Sequence, residues 1–175
     1  MNLFAVIEFV VKAHNGQVRK HSGVPYVMHV FSVMNFLLEC GITDPNIFAI
    51  CLCHDILEDC PHISYEELES VIGVENAKVV LELTFDSSKI SKSEYLESFK
   101  DKSLQALIVK IADRICNTKD FYNSDSKYAP VYWKKATALL SVFSSKMTDF
   151  QATFGLTVTA NIKYNIDLIR QMVVA

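Results

Sequence analysis

Three stretches of this chain are apolar on nearly every side of the helix their spacing predicts: YVMHVFSVMNFLLEC (26–40), NIFAICLC (46–53) and LQALIVKIADRIC (104–116). A helix of that kind has no face to give to water, so each must be surrounded by others. Further helices are expected over residues 2–14, 65–72, 74–83, 131–147 and 159–173, with the second and third long ones running 26–40 and 45–59 and the later one 104–120. Gly41 and Gly73 stop two of them, Pro45 opens one, and Ser64 with Glu67 makes a capping box. Regular apolar/polar alternation between hairpin turns is missing, so the fold class is all-α, a bundle of about seven to eight helices. A length of 175 residues suits a single domain over 1–175.

The remaining segments read as loops: 15–25, which carries Arg19 and Lys20, 85–92, which carries Lys89 and Lys92, and 122–130. A net charge of −3 offers no broad basic surface for a nucleic-acid backbone, which favours a small molecule as partner. No apolar run is long enough for a membrane span, and a soluble cytoplasmic protein is expected. Five cysteines, odd in number and set among apolar neighbours, fit reduced core thiols. The glycine-rich phosphate loops and the GxSxG elbow are missing.

Against this apolar background a few polar groups stand out. In CHDILED (53–59), His54, Asp55, Glu58 and Asp59 crowd one helical face, where the carboxylates would repel one another unless a cation lay between them. His29 in VMHVF and Asp113 in VKIADRI are the other lone polar groups inside apolar helices. Together these make a His₂Asp₂ set, which suits manganese, iron or another borderline-to-hard ion and leaves coordination sites for water and substrate. Taken singly, Asp113 could instead pair with Arg114 or Lys110, and His14, His21 and His62 read as caps or surface groups.

His29, His54-Asp55 and Asp113 are similar to the H…HD…D signature of the HD metal-dependent phosphohydrolases. The blocks AHNGQVRKHSGVPYVMH, CHDILED and KIADRICN, in that order, resemble the hydrolase domain of the RelA/SpoT family over about residues 5 to 135. The resemblance implies an HD-domain helical bundle with alarmone hydrolase activity, removing the 3′-pyrophosphate of guanosine tetra- or pentaphosphate with Mn2+ as cofactor. It implies His29, His54, Asp55 and Asp113 as metal ligands, and Glu58 with Asp59 as the groups that orient and deprotonate the attacking water. It places Arg19, Lys20, Lys92, Asn117, Asp120 and Tyr132 around the nucleotide. Other members of the superfamily act on adenosine alarmones, on the 2′-phosphate of NADPH or on nucleoside monophosphates, and a non-catalytic nucleotide-binding or antitoxin module is the alternative outside enzymes.

Overall fold

The computed structural model describes residues 1–174 of the 175-residue chain. Among the described residues there are twelve α-helices, one 3₁₀ turn (Ser98–Lys100) and no strand beyond an isolated bridge between Val18 and Pro25. The centre is built by α2 (Val27–Glu39), α3 (Pro45–Cys53) and α8 (Leu104–Ser124), with α2 packed against both of the others. These are the three all-round apolar segments. Val30, Val33 and Leu37 of α2, Ile50 and Leu52 of α3, and Leu107, Ile108 and Ile111 of α8 are buried together, each contributing about 1.5–3 kcal/mol. Around them lie α1 (Leu3–Ala13), α5 (Tyr65–Ile72), α6 (Val74–Leu83), α7 (Lys92–Glu97), α9 (Ala129–Lys134), α10 (Thr137–Ser145), α11 (Met147–Phe154) and α12 (Leu156–Val174). None of the helices is long and apolar enough to cross a membrane.

The helix count exceeds seven or eight because several apolar runs are broken. Residues 45–59 form α3 and a separate single turn, α4 (Ile56–Asp59), with His54 and Asp55 in the break between them. Neighbouring side chains on a regular helix diverge by about 100°, so two of them reach one point only where the backbone departs from the helix, as it does at Asp55 (φ −104, ψ −1). The expected helix over 131–147 turns at Lys135–Ala136 and again at Lys146, which lets Trp133, Ala136 and Leu139 all reach the core. Lys92 lies in no loop: it is the first residue of α7, opened by a reciprocal capping box between Ser91 and Glu94.

Two local devices position the site. Ser103 caps α8, accepting from the Ala106 N–H, and its own N–H and hydroxyl donate to Glu82 Oε2 at 2.9 and 2.7 Å. The 15–25 segment is pinched into a narrow loop in which Arg19 N–H donates to Val24 O (2.8 Å) and Tyr26 N–H to Gln17 O (2.9 Å). Its tip turns back at Gly23, whose φ of +71 suits a residue without a side chain. Gln17 Nε2 then donates to the Asp59 carbonyl at 2.8 Å, tying the loop to α4.

Candidate metal centre

Four side chains from three segments converge. His29 lies in the first turn of α2, His54 and Asp55 in the α3–α4 break, and Asp113 midway along α8. His29 Nε2 is 3.1 Å from Asp113 Oδ1, which is 3.8 Å from His54 Nε2; this in turn is 3.0 Å from Asp55 Oδ2, and that oxygen is 3.8 Å from His29 Nε2. Four donor atoms thus close a ring. An ion with bonds of about 2.1 Å keeps neighbouring donors roughly 3.0–3.4 Å apart, so the ring fits such an ion after shifts of a few tenths of an ångström.

The donor chemistry agrees. His54 Nδ1 lies 2.6 Å from the Cys51 carbonyl, which can only accept, so Nδ1 carries the hydrogen and Nε2 presents its lone pair to the ring. That Nε2 is fully buried and has no hydrogen-bond partner, although Asp55 Oδ2 lies 3.0 Å away. A backbone carbonyl behind one ring nitrogen and an unused lone pair on the other is how metal-ligating histidines are held. Burial disfavours a charge on His54, but the Asp55 and Asp113 carboxylates outweigh it and pull the imidazole up to about 10. Against the same cost of burial, His54 holds Asp55 below the usual carboxylate range, and Lys110, His29 and His54 do so for Asp113. The cluster demands positive charge at its centre, and a divalent cation supplies it at the orphaned lone pair.

The second oxygen of Asp113 is already neutralised. Lys110 Nζ sits 3.1 Å from Oδ2, while the Asn117 amide donates to Oδ1.

Glu58 and Asp59 follow the ring by one turn, and the Asp59 N–H bonds back to the Asp55 carbonyl at 2.8 Å. They face different surroundings. Glu58 Oε2 accepts from the Phe85 N–H at 3.1 Å; its carboxylate is crowded by protein although the residue stays open to solvent, and that crowding raises its pKa. Asp59 lines a cavity of about 460 Å³ together with Arg19, Lys20, Asn117, Asp120 and Tyr132. Five of the six expected substrate residues therefore share one cavity. The sixth, Lys92, lies outside that lining, with its ammonium 4.6 Å from the Phe85 ring. Within the cavity Arg19 is fixed edge-on: Nη2 donates to Asn117 Oδ1 (2.5 Å) and Asp120 Oδ2 (2.9 Å), and Nε to the same Asp120 oxygen at 3.3 Å. Its Nε and Nη2 donors are committed, and the guanidinium face turned away from Tyr26 remains for stacking.

Several participants were not singled out from sequence. Tyr26 donates its hydroxyl to Asp55 Oδ2 at 2.6 Å, stacks on His14 (centroids 5.0 Å), meets the His29 ring edge-on at 5.7 Å and carries the Arg19 guanidinium 5.5 Å over its face. Burial first, then the Asp55 charge, raises its pKa strongly, so the phenol stays a donor. His14, expected as a cap or surface group, is the C-cap of α1 but is 2% exposed, and its Nδ1 contacts Gln17 Oε1 at 2.7 Å. His21 packs with Phe121 and Tyr128 beside the cavity. The placement of Tyr26 three residues before His29, facing the metal side of α2's first turn, was the signal available for it.

The sequence profile of the HD domain family matches residues 6–147. The chain belongs to the HD domain family. Among curated HD relatives, the guanosine-3′,5′-bis(diphosphate) 3′-pyrophosphohydrolase MESH1 of Danio rerio is 36% identical over 124 residues, covering 67% of this chain and 68% of the relative. The enzyme of the same name from Mus musculus is 30% identical over 138 residues, covering 76% and 74%. The solved structure of a metazoan SpoT orthologue described as hydrolysing ppGpp superposes with a TM-score of 0.80 at 26% identity, over 97% of this chain and 94% of that one. This HD domain accordingly has the fold of that enzyme along almost its whole length, and a divalent-metal site at His29, His54 and Asp55 is consistent with the family.

Proposed function

We propose that this HD domain is a manganese-dependent hydrolase of guanosine 3′,5′-bis(diphosphate) and its pentaphosphate homologue, releasing pyrophosphate and leaving GDP or GTP. The observation that carries the reading is the closed ring of His29, His54, Asp55 and Asp113 with the His54 Nε2 lone pair unused; the shared activity named for both MESH1 relatives supports the substrate.

In this reading those four residues would hold the ion, which when bound would lower the pKa of a nearby water and offset charge on the phosphorus oxygens. Asp59, open to the cavity, and Glu58, on the Phe85 side, orient the attacking water and take its proton. The water oxygen bonds to the phosphorus attached to the ribose 3′-oxygen, the P–O3′ bond breaks, the 3′-oxygen recovers a proton, and pyrophosphate departs carrying the new oxygen. Arg19, fixed edge-on by Asn117 and Asp120, offers its face to the base, with Lys20 and Tyr132 on the cavity wall. Lys92 reaches the phosphates from the Glu58 side. The chain acts in this account as one HD hydrolase domain over 1–175, on a small nucleotide in the cytoplasm and without nucleic acid.

The test is purified protein with Mn2+ and a panel of guanosine and adenosine alarmones, NADPH and nucleoside monophosphates, with products resolved by ion exchange. Pyrophosphate with GDP is the expected outcome. Turnover confined to NADPH or to monophosphates overturns the substrate, and Glu58→Gln and Asp59→Asn variants that both retain full turnover overturn the water-activating roles.

A further inference from the structure

The last carbonyls of a helix have no donor within the helix, and α4 is a single turn, too short to hold its shape unaided. The Asp59 carbonyl at its end is met by a side chain 42 residues earlier: Gln17 Nε2 donates to it at 2.8 Å and lies 3.7 Å from Cys60 Sγ. The other end of the same amide is also fixed. A carbonyl can only accept, so the Gln17 amide nitrogen faces Asp59 and its oxygen faces His14 Nδ1, 2.7 Å away, which therefore carries a hydrogen and donates. His14 is itself held in place, buried and with its ring stacked on Tyr26.

Two carboxylates beside the reaction centre are thus held from one side. Tyr26 donates to Asp55 and Gln17 to Asp59, and the two supports are joined by the His14 stack and by the bond from the Tyr26 N–H to the Gln17 carbonyl. Because the Asp59 N–H is bonded to the Asp55 carbonyl, the Gln17 bond fixes the other end of that residue's backbone and with it the direction of the carboxylate. Gln17 lines the cavity with Arg19 and Lys20 of the same loop. The shape of that loop does not depend on the Gln17 side chain, since backbone bonds close it and Arg19 is tied to Asn117 and Asp120.

We propose that Gln17, oriented by His14, is a positioning residue that aims the Asp59 carboxylate at the attacking water and joins the loop of Arg19 and Lys20 to the turn of Asp59. The proposal rests on reading Asp59 as a water-activating group, through which Gln17 acts.

The experiment compares wild type with Gln17→Met, which keeps the length of the side chain and removes both hydrogen bonds. Its kcat on ppGpp should fall about 10–100-fold while KM, Mn2+ affinity and GDP affinity stay as in wild type. Unchanged kcat overturns the proposal, and so does a parallel loss of Mn2+ or GDP binding, which would make Gln17 a general support of the site. Should Gln17→Met fail to fold, Gln17→Glu keeps an oxygen toward His14 and sets another against the Asp59 carbonyl; it should lose kcat at least as far, and wild-type kcat overturns the proposal. In an Asp59→Asn background Gln17→Met should add no further loss, and effects that multiply overturn the route through Asp59. A second readout needs neither metal nor turnover: in the metal-free protein the Asp59 and Cys60 amide hydrogens should exchange about 2–10-fold faster in Gln17→Met, the worth of one hydrogen bond. If wild type does not hydrolyse ppGpp, the substrate reading fails, and faster exchange still supports the Gln17 tie whereas unchanged exchange overturns it. Hydrolysis of ppGpp that ignores Gln17→Met is the reverse.

Discussion

Replacing Tyr26 with Phe removes one oxygen and nothing else from the neighbourhood of the ring. The ring of the new side chain keeps the stack on His14, the edge contact with His29 and the place beneath Arg19, so the fold should survive. What disappears is a 2.6 Å O–H donation to Asp55 Oδ2, the same oxygen that faces His54 and His29. A hydrogen bond to a charged group contributes about 1.5–3 kcal/mol. Without it the Asp55 carboxylate is free to rotate away from the ring, so most of that loss should appear as weaker metal binding, roughly 10–100-fold. The assay is equilibrium titration of Mn2+ into metal-free wild type and Tyr26→Phe, with unfolding curves on both. The expected result is weaker metal binding in Tyr26→Phe, with apo stability within about 1 kcal/mol of wild type. Metal affinity within twofold of wild type, in a properly folded variant, would refute the claim that the phenol orients the ligand.

Other consequences are measurable. With Mn2+ at about 100 times its dissociation constant the protein should gain ~2.7 kcal/mol over its chelated form, a rise in melting temperature of about 5–10 °C for a chain of this size, and Asp113→Asn should abolish the shift. Lys110→Met leaves Asp113 buried without its ion pair and should cost the apo protein roughly 3–5 kcal/mol in urea unfolding, with much of it regained in Lys110→Met/Asp113→Asn. Burial pushes Cys40 and Cys60 up to about 11 and Cys116 up to about 12. An unfolded thiol ionises near about 8.5, so stability present in full below that pH should fall as the pH rises toward 11. Burial raises Cys51 and Cys53 as well, so all five thiols act in this sense, against Lys102, held down to about 8 by burial, and Lys92, lowered also by burial first; a melting temperature in reducing buffer that climbs between pH 8.5 and 10.5 would contradict this balance.

The four residues that converge in the ring were legible because each is a polar group in a segment otherwise apolar nearly all round, where any charge needs a reason. The central packing of α2, α3 and α8 was legible for the same cause: such helices have nowhere else to go. The helix boundaries were less so. ILED continues the helical pattern of NIFAICLC, and local propensity carries no trace of the convergence that forces the chain to break at His54–Asp55. Likewise the residues of α9 to α11 are short amphipathic pieces whose apolar positions merge into one apparent helix. α7 was recoverable, since Ser91, near the end of what reads as a polar loop, spells a capping box with Glu94 just beyond it. Tyr26 was obscured by a bland alternative, since an aromatic at a helix start usually packs.

These points share a cause in α8. Lys110, Asp113, Arg114 and Asn117 fall at i, i+3, i+4 and i+7, along one stripe of the helix. The stripe assigns each a separate charge problem. Lys110 neutralises one oxygen of Asp113 within the protein, which leaves the other to the ring, and Asn117 commits its amide to that oxygen and its carbonyl to Arg19. Asp113 thereby connects the metal ring to the cavity through a single residue's amide. Shifting this stripe by one position would turn Asp113 about 100° away from His29 and carry Asn117 away from Arg19 in the same movement. A Gly inserted between Val109 and Lys110 should therefore abolish metal binding and nucleotide binding together, whereas Asn117→Ala should loosen Arg19 while leaving His29, His54 and Asp55 able to bind Mn2+. Titrations of Mn2+ and GDP on the two variants separate these cases, and an insertion mutant that folds and keeps one of the two affinities would break the coupling that the stripe imposes.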